Sequence, residues 1–185
     1  MDELFFDGPQ AFEEWLEANG ERSDGIWIRM AKKGTGIPSL DWAGSVEVAL
    51  CFGWIDGQSR RVDDEWFLQR FTPRRRTSMW SKVNRQKVEA LTAAGRMRPS
   101  GLAEVERAKA DGRWDAAYDS PATASVPDDL RSALAAAGLT DAFEKLDGRN
   151  RYAILHRVQT AKRPDTRAKR IAKYVEMLAA GETPY

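Results

Sequence analysis

The chain has 185 residues, of which 42% are hydrophobic and 31% charged, and a formal net charge of +1 at pH 7. This composition is typical of one globular domain, or of one domain with a helical appendix. No apolar run reaches the roughly 18 residues that span a bilayer, and the start of the chain lacks the features of a signal peptide, so we expect a cytoplasmic protein. One cysteine, Cys51, excludes an internal disulfide and a metal site built on paired cysteines.

The charges are segregated along the chain. Residues 1–25 contain eight acidic side chains and one arginine. Residues 58–87 contain nine basic side chains against three acidic ones, and residues 149–173 contain nine against one. This pattern favours either an anionic partner or an acidic N-terminal segment that lies on a basic surface of the same molecule.

The first part of the chain is predicted to combine helices with a small sheet. Apolar spacing and turn residues predict these elements in order: a helix from Pro9 to a stop at Gly20, a strand over 26–30, a buried helix over 39–52, a tight turn over 54–57, and a hairpin with strands over 58–62 and 66–71. Asp63 and Asp64 are predicted to form the hairpin turn.

The remainder is predicted to be helical. The predicted helices cover residues 81–94 with Val83, Val88 and Leu91 inward, the segment from Pro99 with Leu102 and Val105 inward, residues 128–137, residues 141–146 capped by Thr140, a segment capped by Asn150, and a last helix from Pro164. Together the elements predict an α+β fold, in which a small antiparallel sheet packs on helices and an all-helical C-terminal portion follows. The predicted division is an α+β core over residues 1–114, a connector over 115–127 and the helical portion over 128–185.

Four blocks of the sequence resemble one bacterial family. They are ALCFGWIDG, FTPRRRTSMWSKVN, GRMRPSGL and AKRPDTRAKRI. In this order they resemble the YdeI/OmpD-associated, or bacteriocin-protection, family, and the resemblance extends from about Trp27 to Ala180. It implies a cytoplasmic bacterial setting and a role in stress or bacteriocin tolerance, and it implies no catalytic residue and no cofactor.

The residue inventory argues against several classes of chemistry. Cys51 lies in an apolar helical run, and the one histidine, His156, is more than a hundred residues away. We therefore expect Cys51 to be a small buried hydrophobe and His156 to be structural. Neither a carboxylate cluster at metal spacing nor a phosphate-binding glycine motif is present, so no metal and no cofactor are predicted.

The candidate site lies in residues 50–85, where tryptophans alternate with arginines. Guanidinium groups bind phosphate or carboxylate bidentately and stack on indole rings, so this mixture is typical of a site for an anion. The predicted ligand-binding residues are Trp54, Asp56, Arg60, Arg74, Arg75, Arg76, Ser78, Trp80 and Asn84.

Three functions remain open at this point. The first is a non-catalytic module that binds an anionic small molecule or a nucleic acid. The second is a module that binds a protein partner in a stress pathway. The third is a small enzyme on a phosphorylated or carboxylated metabolite, with Asp56 as acid or base in a pocket that also holds Trp54 and Arg74. The sequence does not predict the oligomeric state.

Overall fold

The computed structural model describes residues 2–185 and divides them into two compact units. Unit 1 comprises the chain up to Trp80 together with Asn84–Ala117. Unit 2 comprises Ser81–Val83 and Tyr118–Tyr185. The three-part division by domains stays a prediction.

Unit 1 contains a four-stranded mixed sheet. The strands are β1 (Glu3–Phe5), β2 (Ile26–Ala31), β3 (Trp54–Arg61) and β4 (Trp66–Pro73), in the order β1-β2-β4-β3. β2 pairs with β4 and β4 with β3 in antiparallel fashion, while β1 runs parallel to β2. The predicted α+β class is confirmed, and the parallel edge strand β1 adds to the antiparallel sheet expected from the sequence.

The hairpin of β3 and β4 follows from local side-chain chemistry. The Asp63 carboxylate accepts hydrogen bonds from the amides of Glu65 and Trp66, both at 2.8 Å, which closes the predicted turn. The tight turn predicted over 54–57 is wrong, because these residues begin β3. The register between β3 and β4 shifts between Asp56 and Ser59. The Asp56-Gly57 pair, which indicated a turn, therefore lies at a β-bulge.

The helices of unit 1 are α1 (Pro9–Asn19), α2 (Trp42–Cys51), α3 (Lys82–Ala93), whose first residues belong to unit 2, and α4 (Pro99–Ala110). Asp41 caps α2 by accepting a hydrogen bond from the Gly44 amide at 2.7 Å. The core of this unit contains Phe12, Ile28, Leu50 and Phe71, each nearly inaccessible to solvent.

Unit 2 is built from α5 (Asp128–Ala136), α6 (Thr140–Glu144), α7 (Gly148–Gln159) and α8 (Pro164–Ala179). Its core comprises Leu130, Leu134, Phe143, Ile154, Leu155, Val158, Ile171, Tyr174 and Leu178. The predicted helical C-terminal portion is confirmed.

Some predicted details of the helices are wrong. Val83 and Leu102 are exposed rather than inward, while Val88 and Val105 are buried as expected. Asp147, not Asn150, caps α7, since its carboxylate accepts a hydrogen bond from the Asn150 amide at 2.7 Å. No side chain caps α6, so Thr140 is its first helical residue and not its cap.

Candidate functional site

A cleft of about 520 Å³ lies within unit 1. It is formed by the end of α1, the start of β3, the residues that follow β4, and the first turns of α4. Its lining combines apolar side chains with three arginines and three glutamates, and includes Phe52, Trp54, Arg74, Arg98, Ser100, Arg107, Glu17, Glu21 and Glu104.

Arg74 is the only one of the predicted arginines that lines this cleft. Its side chain is held tightly: the residue is 5% exposed, the guanidinium carbon lies 3.6 Å from the centroid of the Trp80 ring, and Nη1 donates a hydrogen bond to the Met79 carbonyl at 3.1 Å. The Arg74 amide donates to the Gly53 carbonyl at 2.9 Å. A guanidinium fixed in this way loses little further entropy when it binds an anion.

Two of the predicted tryptophans are core residues. Trp54 is 2% exposed and contacts Trp15 edge-to-face, with ring centroids 6.0 Å apart. Trp80 is 1% exposed and contacts Trp114 in the same way at 4.9 Å. Neither indole offers an open face to solvent. Trp80 instead supports the Arg74 guanidinium, and Trp54 forms part of the cleft wall.

The loop after Arg74 extends into solvent. Arg75 and Arg76 are exposed, and the Arg75 amide donates a hydrogen bond to Ser78 Oγ at 2.9 Å, which stabilises a turn. The Ser78 carbonyl accepts a hydrogen bond from Arg113 Nη1 at 2.9 Å. Arg75, Arg76 and Ser78 therefore lie next to Arg74 in sequence but do not line the cleft.

The other predicted residues also lie outside the cleft lining. Arg60 is exposed on β3, where its guanidinium lies 4.9 Å from the Trp27 ring centroid. The half-buried Asp56 accepts a hydrogen bond from Trp42 Nε1 at 3.3 Å. Asn84 is half-buried in the first turn of α3. Of the nine predicted residues, the structure brings Trp54 and Arg74 together in one cleft.

Two arginines of the cleft, Arg98 before α4 and Arg107 within it, were not predicted from the sequence. Arg98 pairs with Glu13 at 2.9 Å and with Glu17 at 2.6 Å, while Arg107 pairs with Glu104. The acidic α1 therefore contacts a basic group of the same molecule, although Arg98 lies outside the two basic stretches 58–87 and 149–173. The GRMRPSGL block could have indicated them. Its proline marks the start of a helix whose first amide groups are free, and Arg98 directly precedes that proline.

The start of α4 is fixed against the end of α2. The Arg98 amide donates a hydrogen bond to the Cys51 carbonyl at 3.0 Å. Gly101 approaches the same carbonyl so closely that an added Cβ would lie 2.1 Å from its oxygen. Glycine at this position therefore allows the first turn of α4 to reach the cleft wall at Ser100. The first turn of a helix carries partial positive charge, which favours an anion nearby.

Cys51 and His156 have the surroundings expected of structural residues. Cys51 is buried in α2, and burial raises the pKa of its thiol, which disfavours the reactive thiolate. His156 is half-buried in α7, where its ring contacts Tyr118 edge-to-face at 4.7 Å. Burial lowers the pKa of the His156 imidazole, and the positive charges of Arg157 and Arg170 lower it further.

A shallow groove of about 480 Å³ lies in unit 2 along α5 and α8. Its apolar lining includes Ala133, Ile171 and Val175, and Arg167 pairs with Asp129 at 2.6 Å beside it. This groove offers an apolar surface to a protein partner. The protein-partner alternative stays a prediction.

Within residues 2–185, no helix is both long enough and apolar enough to cross a membrane. The same residues contain no group of three or more His, Cys, Asp or Glu side chains placed to hold a metal ion.

Two protein families match the chain. Residues 4–104 match the family described as domain of unknown function DUF8412, and residues 123–181 match the family described as bacteriocin-protection, YdeI or OmpD-associated. The second match confirms the family resemblance, over a shorter span than the four sequence blocks suggested. No curated protein and no solved structure matches the chain. The first match covers more than half of the chain, so the chain belongs to the DUF8412 family, and its residues 123–181 are similar to the bacteriocin-protection, YdeI or OmpD-associated family.

Proposed function

We propose that the chain is a non-catalytic binding module for a small molecule that carries a phosphate or carboxylate group, and that this ligand occupies the unit 1 cleft. The observation that carries the proposal is the position of Arg74. Arg74 lines the cleft, and its guanidinium is shielded from bulk water and stacked on Trp80. In such surroundings a charge-assisted hydrogen bond is stronger than one at an exposed side chain.

The charge balance of the cleft limits the size of the anion. Arg98 and Arg107 already pair with glutamates, so they contribute little net attraction. The stacked Arg74 and the first turn of α4 are the groups that would contact an anionic head group. The cleft lining contains as many glutamates as arginines, so a polyanion would gain little net attraction there. We therefore favour a ligand with one anionic group and an apolar body that contacts the half-buried Phe52.

A nucleic acid fits this cleft less well than a small anion. Single-stranded nucleic acids bind by stacking bases on exposed aromatic rings, and both Trp54 and Trp80 are sealed in the core. Binding of a strand would instead depend on exposed charges such as Arg75 and Arg76, and its affinity would fall steeply with salt.

The enzyme alternative requires Asp56 to reach the ligand. Asp56 is hydrogen-bonded to the Trp42 indole and does not line the cleft that contains Arg74. Proton transfer requires the acid or base within hydrogen-bond distance of the reacting group, or one water away. We therefore propose binding without catalysis by Asp56.

The test is a calorimetric titration of the full chain with inorganic phosphate and with phenyl phosphate. We expect saturable binding of at least one probe. The substitution Arg74→Lys should weaken it by roughly tenfold, because lysine keeps the charge but loses the bidentate fork and the planar stacking on Trp80.

The matched control is Arg76→Ala, which removes a charge two residues away that does not line the cleft. We expect its affinity to stay within about twofold of the unsubstituted chain, since exposed charges contribute little. The proposal is wrong if none of the probes binds, or if Arg76→Ala weakens binding as much as Arg74→Lys does.

A further inference from the structure

A second cavity, of about 420 Å³, lies within unit 2 beside α7. Arg149, Tyr152, His156, Arg157 and Tyr185 are among the residues that line it. Its lining contains no acidic side chain, whereas three glutamates line the unit 1 cleft. The two cavities therefore differ in charge as well as in position along the chain.

The two arginines of this cavity are held by aromatic rings and not by carboxylates. The guanidinium carbons of Arg149 and Arg157 lie 4.1 Å and 5.5 Å from the centroid of the Tyr185 ring. Arg157 also donates hydrogen bonds to the hydroxyls of Tyr174 at 3.2 Å and Tyr185 at 3.4 Å. Within residues 2–185, neither arginine forms an ion pair with a carboxylate.

His156 adds a third nitrogen-bearing group to the cavity wall. Its imidazole contacts the rings of Tyr118 at 4.7 Å and Tyr152 at 5.6 Å, and the charged groups that act on it are Arg157 on the same helix and Arg170 on α8. The charges that act on His156 are therefore positive, while the carboxylates of Asp147 and Asp119 act on Arg149 and Tyr152. A ligand with negative charge would relieve the repulsion among these groups.

We infer that the unit 2 cavity binds a small aromatic carboxylate, with the carboxylate between Arg149 and Arg157 and the ring against the faces of Tyr152 and Tyr185. Guanidinium groups match the geometry of a carboxylate, and unlike Arg98 and Arg107 in unit 1 these two are not already occupied by one. The tyrosine rings supply flat apolar surface for an aromatic body. This inference is independent of the function proposed for the unit 1 cleft.

The test uses the fact that the chain has one histidine. The proton NMR spectrum therefore contains a single imidazole Hε1 signal, and this signal reports on the unit 2 cavity. We expect benzoate to shift it in a saturable manner and to raise the apparent pKa of His156. Acetate has the same charge without the ring and should bind roughly tenfold more weakly. The inference is overturned if benzoate leaves the signal unchanged or if acetate binds equally well.

Three variants test whether benzoate binds in the unit 2 cavity. Arg149→Ala should weaken benzoate binding by roughly tenfold, because one of the two guanidinium forks is lost. Arg151→Ala is the matched control on the same helix, since Arg151 lies 5.3 Å from the Phe143 ring and does not line this cavity. It should change the affinity by less than about twofold. An equal loss in both variants would overturn the inference.

The third variant separates the two sites. Arg74→Lys alters the unit 1 cleft, so it should leave the effect of benzoate on the His156 signal intact whether or not the unit 1 cleft binds anions. If Arg74→Lys abolishes that effect, the assignment of benzoate to the unit 2 cavity is wrong.

Discussion

His156 links the protonation state of the chain to its stability. The imidazole is half-buried against Tyr118 and Tyr152, and Arg157 and Arg170 act on it with positive charge. Burial and these charges lower the pKa of His156 in the folded state relative to about 6.5 in the unfolded chain. The unfolded state therefore takes up a proton at a higher pH than the folded state does.

The sign of the pH dependence follows from this difference. Above about pH 6.5 both states are neutral at His156, and the full stability is present. As the pH falls through this value towards the lower folded pKa, the unfolded state gains a proton first and the free energy of unfolding decreases. We expect His156→Gln to reduce the loss of stability between about pH 7.5 and 5.5, measured by urea denaturation. An identical loss in both proteins would contradict this account of His156.

Arg74 and Arg76 show why single residues of the site were hard to predict. They lie two positions apart in an arginine-rich loop, yet Arg74 is buried on Trp80 and Arg76 is exposed. The mixture of tryptophan and arginine in this stretch predicts a site for an anion, but it does not distinguish one arginine from the next. Which guanidinium becomes buried depends on the packing of Trp80 against Trp114, a residue 34 positions further along the chain.

At the scale of elements, the contact between α2 and α4 sets the position of the cleft wall. Gly101 lies against the Cys51 carbonyl, where a side chain has no space. We expect Gly101→Ala to lower the free energy of unfolding by roughly 1–3 kcal/mol, because either α4 or the end of α2 must move. Urea denaturation measures this change.

Gly148→Ala provides the control for that experiment. Gly148 is also in the first turn of a helix, and an added Cβ there would meet no atom within 4 Å. Alanine has the higher helix propensity, so this variant should be as stable as the unsubstituted chain or more stable. Equal destabilisation by the two substitutions would show that the close approach at Gly101 has no special importance.

The elements that the sequence predicted well have local signals. Pro9, Pro99 and Pro164 each mark the first residue of a helix, and the alternation over 66–71 marks β4. β1 was missed because it has three residues and its pairing with β2 is not local. The start of β3 was mistaken for a turn because a bulge and a turn favour the same residues.

At the scale of the whole molecule, each unit has its own hydrophobic core and its own cavity. The family match over 4–104 lies almost entirely in unit 1, and the match over 123–181 lies in unit 2. Arg98 and Arg107 in the first cleft pair with glutamates, whereas Arg149 and Arg157 in the second cavity form no ion pair with a carboxylate within residues 2–185. A cytoplasmic location and a role in stress tolerance stay predictions.

The central claim is that an anion binds beside the buried guanidinium of Arg74. A crystal of the full chain soaked in selenate tests it most directly, because the anomalous signal of selenium marks the anion. We predict a selenium peak in the unit 1 cleft, with selenate oxygens about 2.7–2.9 Å from the Arg74 guanidinium nitrogens. Selenate found only at exposed side chains such as Arg75 and Arg76, with the cleft empty, would contradict the claim.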